Sequence, residues 1–288
     1  MNILEAQGCA AQLSACSDSP TVDVELLLCH VLECSRTFLF TRREHSLSEA
    51  QQLQFEQLLQ RRLQGEPIAH LTGIRGFWNL DLEVNATTLI PRPDTECLVE
   101  KALELIPPSA ARVLDLGTGT GAIALALASE CPAWSLVAVD RVADAVALAE
   151  RNRQRAGLAN VRVLQGSWFE PVDGVFDLIV SNPPYIDPQD PHLEQGDVRF
   201  EPLSALVAEE HGLADIRYIA TEARAFLADG GTLLFEHGYD QAEAVRQLLA
   251  DLHYRGIESA QDYGGNDRIT WARWHNPVIE KEIKQNAE

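Results

Sequence analysis

The chain has 288 residues, 46% of them hydrophobic, which supplies a core and excludes global disorder. At roughly 100–200 residues per domain it holds one large domain or two modest ones. Lys+Arg number 23 against 43 Asp+Glu, and the formal net charge of −20 disfavours a phosphate-backbone coat protein or stable attachment to nucleic acid or to an anionic membrane.

Residues 1–72 read as a small helical domain. Asp23 is placed to cap a segment carrying Leu26, Leu27, Leu28, Val31 and Leu32. Ser46 or Ser48 is placed to cap another, carrying Leu53, Leu58, Leu59 and Leu63, that stops at Gly65-Glu66-Pro67. Arg36, Arg42, Arg43, Arg61 and Arg62 are a local basic exception, read as solvated helix faces in preference to a contact surface. If these helices grip a partner, Arg61 and Arg62 are the candidate contacts.

Residues 73–90 change rhythm. Leu80, Leu82 and Val84 alternate with Asn79, Asp81 and Glu83 behind Gly73 and Gly76, which predicts a β-hairpin linker running to Pro91-Arg92-Pro93. The remainder, 91–288, reads as a doubly wound α/β domain. Strands at 112–116, 135–139, 161–164, 176–180 and 232–236 alternate with helices, and 257–263 with 268–274 close as a hairpin. Seven strands in a mostly parallel, Rossmann-like sheet are expected, with ligands at the strands' carboxyl ends.

Six cysteines at 9, 16, 29, 34, 97 and 131 form no C-x-x-C pair, which fits a reducing compartment and neither a zinc site nor a disulfide framework. Met1–Glu5 lacks a basic and an apolar region of signal-peptide type, and the apolar run 122–128 is far shorter than a membrane span. A cytoplasmic location and no metal are expected.

Chemistry enters at Asp115-Leu116-Gly117-Thr118-Gly119-Thr120-Gly121, between the first long strand and its helix. Gly117, Gly119 and Ala122 satisfy a dinucleotide fingerprint, with Asp140 at the distance of a ribose-binding acid, so a nucleotide-binding module, possibly linked to NAD, stays open. Asp115 points another way. A carboxylate suits a cationic ligand better than a pyrophosphate, and S-adenosylmethionine carries an ammonium and a sulfonium. Asp140 would then accept from the ribose hydroxyls, and Trp168 would offer a flat wall to adenine.

Asn182-Pro183-Pro184-Tyr185 is the most informative tetrapeptide. Two prolines stiffen the loop and remove both N–H groups, so the backbone offers acceptors and no donors across Pro183 and Pro184. Asn182 adds a side-chain acceptor and Tyr185 a flat face. Such a site suits a planar group bearing NH2.

Taken together, these residues resemble the class I methyltransferases that act on planar exocyclic or amide nitrogens. Within them the chain is similar to the release-factor glutamine methyltransferases (PrmC/HemK family). The resemblance also covers 89–96, Leu-Ile-Pro-Arg-Pro-Asp-Thr-Glu, and the segments Phe235-Glu236-His237-Gly238 and Gly265-Asn266-Asp267-Arg268. Asp94 and Cys97 depart slightly from the family's usual residues there. The resemblance implies methylation of the glutamine side chain in the Gly-Gly-Gln motif of peptide-chain release factors. Asn182, Pro183 and Tyr185 would be catalytic, and Pro184 would join them against the substrate. Asp115, Gly117, Thr118, Gly119, Thr120, Gly121, Asp140, Trp168 and Asn182 would hold the methyl donor. The nearest rival is adenine-N6 methylation of DNA or RNA, since adenine presents the same planar NH2. Asn182 and the charge of −20 favour a protein substrate.

Overall fold

The computed structural model describes residues 1–277. Contacts divide the chain into two compact units, one of Met1–Ile74 with Val84–Ala86 and Pro191–Glu201, the other of Arg75–Glu83, Thr87–Asp190 and Pro202 onward.

The first unit is helical: α1 (Ile3–Gln7), α2 (Pro20–Leu32), α3 (Arg36–Thr41), α4 (Glu49–Leu63) and α5 (Ile68–Thr72). Its core is built from Ile3, Leu13, Leu27, Leu28, Leu39 and Phe55, each no more than 1% exposed. Ser48 caps α4 in a reciprocal box with Gln51, as the sequence suggests. The start of α2 differs from expectation. Pro20 opens that helix behind Ser19, and Asp23 faces inward, accepting from Arg62 Nε at 2.7 Å. Both side chains are less than 10% exposed (Arg62 9%, Asp23 8%), so Arg62 is neither a solvated face nor a contact for a partner. Arg61 pairs instead with Glu66 at the helix end. Asp197 of the Pro191–Glu201 segment also lies 3.5 Å from Arg62 Nη1.

The second unit opens with the predicted hairpin, β1 (Ile74–Phe77, its first residue still in the helical unit) and β2 (Leu80–Glu83). Then follow α6 (Glu96–Leu105), β3 (Arg112–Leu116), α7 (Ala122–Glu130), β4 (Ser135–Asp140), α8 (Ala143–Ala156), β5 (Val161–Gln165) and β6 (Phe176–Ser181). The single turn α9 (Glu209–Gly212), α10 (Ala214–Glu222), β7 (Leu227–Glu236), α11 (Ala242–Asp251), β8 (Arg255–Gln261) and β9 (Asp267–Arg273) complete it.

Seven strands run in the order β5-β4-β3-β6-β7-β9-β8; the first five are parallel, and β9 joins antiparallel to β7 and to β8. Strands buried on both faces need apolar residues at successive positions, which is why β3 and β6 read as nearly continuous apolar runs. Alternate residues divide between two cores. Val113, Leu178, Val180 and Leu234 pack with α6 and α7, whereas Leu114, Leu116, Ile179 and Phe235 pack with α10 and α11. Helix α7 is buried on every side from Ala122 to Ala128, consistent with the lack of polar residues over that span. β7 begins five residues earlier than the apolar run indicates, at Leu227, because Gly230 at φ 79° and a register shift opposite Phe176–Leu178 let a polar stretch join the strand.

The chain leaves β3 toward β4 and β5, then returns to the other side of β3 as β6. A crevice therefore opens at the carboxyl ends of β3 and β6, where the glycine loop and the Asn-Pro-Pro-Tyr loop emerge. Among the described residues, no helix is long and apolar enough to cross a membrane.

Candidate active site

After β3 the backbone adopts φ of 73°, 55° and 87° at Gly117, Gly119 and Gly121, a left-handed region that strains any residue with a Cβ. The turn is anchored to the neighbouring strand: Gly117 and Thr118 both donate N–H to the Val139 carbonyl, at 2.9 and 3.0 Å. Asp140, at the end of β4, accepts from Gly119 N through Oδ2 and from Val142 N through Oδ1, each at 2.9 Å. Each carboxylate oxygen keeps a second lone pair for a ligand hydroxyl.

Asp115 is fully buried beneath this turn. Its Oδ2 accepts from the Thr118 hydroxyl at 2.6 Å and from Ala124 N at 3.3 Å, while Oδ1 has no partner. Burial pushes its carboxyl up to about 7, against the pull of those two bonds. Trp168 lies over the loop: a Cβ on Gly117 would stand 3.5 Å from its ring.

A cleft is lined by Gly117, Thr118 and Thr120 of the loop, by Asp140, Arg141 and Val142, by Gly166, Ser167 and Trp168, and by Asn182 and Pro184. Asp115, Gly119, Gly121, Pro183 and Tyr185 are not among its lining residues. Gly121 packs against α7, where a Cβ would come within 3.0 Å of Leu125. Sequence reasoning did not single out Thr87, Thr88, Ser204 or Asp215, which also line the cleft, and it named Leu89, Pro91 and Thr95 only within a familial segment, without a site role. Thr88 carries no local signal, because it sits in a stretch read as linker. Its hydroxyl is buried without a hydrogen-bond partner.

The Asn-Pro-Pro-Tyr loop is fixed from several directions. Asn182 Nδ2 donates to the Thr95 hydroxyl at 3.3 Å, which occupies the amide's donor side. Tyr185 N and Ile186 N both donate to the Leu206 carbonyl, and the Tyr185 carbonyl accepts from Gln241 Nε2 at 2.9 Å. The Tyr185 hydroxyl donates to Glu236 Oε1 at 3.3 Å, and burial beside that carboxylate pushes the phenol up. Glu236 is itself buried and its carboxyl is pushed up to about 7 by desolvation, opposed by Thr95, Arg268 and Tyr185. Arg268 reaches Asp262 Oδ2 at 3.0 Å and the His237 carbonyl at 3.2 Å. Segments 89–96, 235–238 and 265–268 thus converge behind the loop, although they lie far apart in sequence. The two prolines leave no backbone N–H across Pro183 and Pro184, and Asn182 lines the cleft with its Nδ2 turned to Thr95.

The model described as PrmC N-terminal domain matches residues 6–73, and the model described as Methyltransferase small domain matches residues 94–197. The release factor glutamine methyltransferase of Salmonella typhimurium is 57% identical over 259 residues, 90% of this chain and 94% of its own length. That of Escherichia coli (strain K12) is 56% identical over 266 residues, 92% of this chain and 96% of its own. A crystal structure of a methyltransferase from Pyrococcus furiosus shares the fold, with a TM-score of 0.54 at 19% identity over 75% of this chain and 98% of that one.

Proposed function

The chain belongs to the release factor glutamine methyltransferases, and from that membership we propose that its cleft transfers a methyl group from S-adenosylmethionine to the side-chain amide nitrogen of the glutamine in the Gly-Gly-Gln motif of peptide-chain release factors. The observation that carries this reading is the polarity of the loop after β6. Asn182 spends its donor side on Thr95 and keeps its oxygen for an incoming N–H. Pro183 has no N–H to compete for that position.

The residues present fit the methyl donor. A glycine turn held at positive φ and an unpartnered Thr88 hydroxyl in the cleft lining mark a site shaped for a polar ligand. Asp140 would accept from the ribose hydroxyls and Trp168 would cover adenine. Thr118 and Thr120 would line the loop surface, with the Asp115 carboxylate beneath it as counter-charge. When bound, S-adenosylmethionine supplies an electrophilic methyl group on a sulfonium centre.

What the chain's own residues do is hold the nucleophile. A carboxamide nitrogen is weakly nucleophilic because its lone pair is delocalised into the carbonyl. The Asn182 oxygen and the Pro183 carbonyl accept its two N–H bonds, placing partial negative charge where positive charge develops. Tyr185 and Pro184 confine the amide plane. Orientation of this kind supplies roughly 7–11 kcal/mol without a general base. A bound donor would give up the methyl carbon and leave as a thioether, and the amide nitrogen held by the Asn182 oxygen and the Pro183 carbonyl would lose one proton to water.

The test offers donor labelled in its methyl group to purified enzyme with a release factor and a duplex DNA in the same tube. Label in the factor alone is the expected result; label in DNA adenine would make the rival reading correct.

A further inference from the structure

We propose that Glu236 is a positioning residue for amide transfer, its carboxylate setting the orientation of Asn182 through Thr95 and of Tyr185 directly. The inference rests on the role given above to the Asn182 loop and deepens it.

The argument is one of hydrogen-bond direction. Asn182 Nδ2 is only a donor, so at 3.3 Å the Thr95 hydroxyl must accept from it. That hydroxyl has one proton, and it goes to Glu236, with which Thr95 is hydrogen-bonded. Tyr185 donates to the same carboxylate. An ionised carboxylate only accepts, so the chain of bonds has a single sense, from Asn182 through Thr95 to Glu236. If the Asn182 amide flipped, its oxygen would meet a hydroxyl oxygen whose proton is already committed. The flip is therefore disfavoured, and Asn182 keeps its acceptor turned away from Thr95.

Glu236 is a costly way to fill a core position. It is 2% exposed, and its Oε2 is buried without a hydrogen-bond partner. Of the charged and titratable groups facing it, Arg268 opposes that cost and is shared with Asp262, whereas Asp94 adds to it; Tyr185 and Cys97 lie close enough to feel its charge. An apolar residue would serve β7 equally well. The carboxylate is explained by what it accepts.

Both bonds reach Oε1, since Oε2 has no partner, so a side chain without that oxygen would release the Thr95 proton and permit the flipped amide. Glu236→Gln can keep an oxygen at that place; Glu236→Leu cannot, and its volume is similar. Glu236→Leu should lower kcat about tenfold or more, the worth of one oriented hydrogen bond, while calorimetric affinity for S-adenosylmethionine stays within about twofold. Glu236→Gln, with its amide oxygen in that place, should recover most of the rate. Thr95→Val should lose rate similarly and Thr95→Ser should recover most of it, a pair that decides the matter even if Glu236→Leu folds poorly. Asn182→Ala in the same series tests the underlying role. If it turns over at the parental rate, the loop reading itself fails. If it is slow while Glu236→Leu retains the parental kcat, or Thr95→Val matches Thr95→Ser, the positioning role of Glu236 is wrong.

Discussion

Gly119 donates its N–H to Asp140 Oδ2 at 2.9 Å while Val142 donates to Oδ1 at the same distance, so one carboxylate clasps the turns that follow β3 and β4. Asp140→Ala removes both bonds and the acceptors offered to a ribose. Hydrogen bonds to charged groups contribute about 1.5–3 kcal/mol, so affinity for S-adenosylmethionine should fall roughly ten- to a hundredfold in titration calorimetry. Asp140→Asn, which keeps one acceptor, should fall between. Unchanged affinity in the alanine variant would remove Asp140 from the donor site.

The division between what was legible and what was not follows sequence separation. Asp115–Gly121, Asp140 and Asn182–Tyr185 are short segments whose backbone demands are written in adjacent residues, glycine for positive φ and proline for a missing donor. The doubly wound sheet was legible for the same reason, since buried parallel strands are local apolar runs. What escaped is long-range. Thr95 meets Asn182 across 87 residues, and Glu236 meets Tyr185 across 51. Arg62 looked like part of a solvated basic face because its partner Asp23 lies 39 residues away and appeared to be a helix cap. Charge pattern along one helix does not reveal which charge turns inward.

Gly212 carries a constraint on the loop that the sequence leaves silent. At φ 83° a Cβ there would overlap the carbonyl oxygen of Tyr185 and crowd the Gln241 side chain that donates to it. Gly212→Ala should displace Tyr185, lowering kcat and the thermal midpoint together, with donor affinity little changed. A variant as fast and as stable as the parent would show that the loop tolerates the shift.

Asp115 should give stability a pH dependence of definite sign. Its folded carboxyl is raised from 3.8 to about 7, so the native state holds the proton more tightly than the unfolded chain. Its contribution is intact below about pH 4, falls as pH rises toward about 7 and is level above. Asp115→Asn should therefore gain on the parent across that window, read as the difference between their unfolding free energies against pH. Parallel curves would place the Asp115 titration elsewhere.

The helical unit has its own test. Arg62→Met would leave Asp23 buried and unpaired, at a cost of about 3–5 kcal/mol in denaturant unfolding. Adding Asp23→Asn should return much of it. A loss below about 1 kcal/mol, the range of exposed pairs, would mean that the pair is solvated.

The most direct measurement of the central claim is where the methyl group goes. Purified enzyme, S-adenosylmethionine and intact release factor should give one added methyl, mapped by tandem mass spectrometry to the side-chain amide of the Gly-Gly-Gln glutamine. Asn182→Ala should slow that addition by about 10²–10³, as when one aligned polar group is lost. A methyl found on another residue, or added equally to a factor whose glutamine is replaced by alanine, would contradict the account.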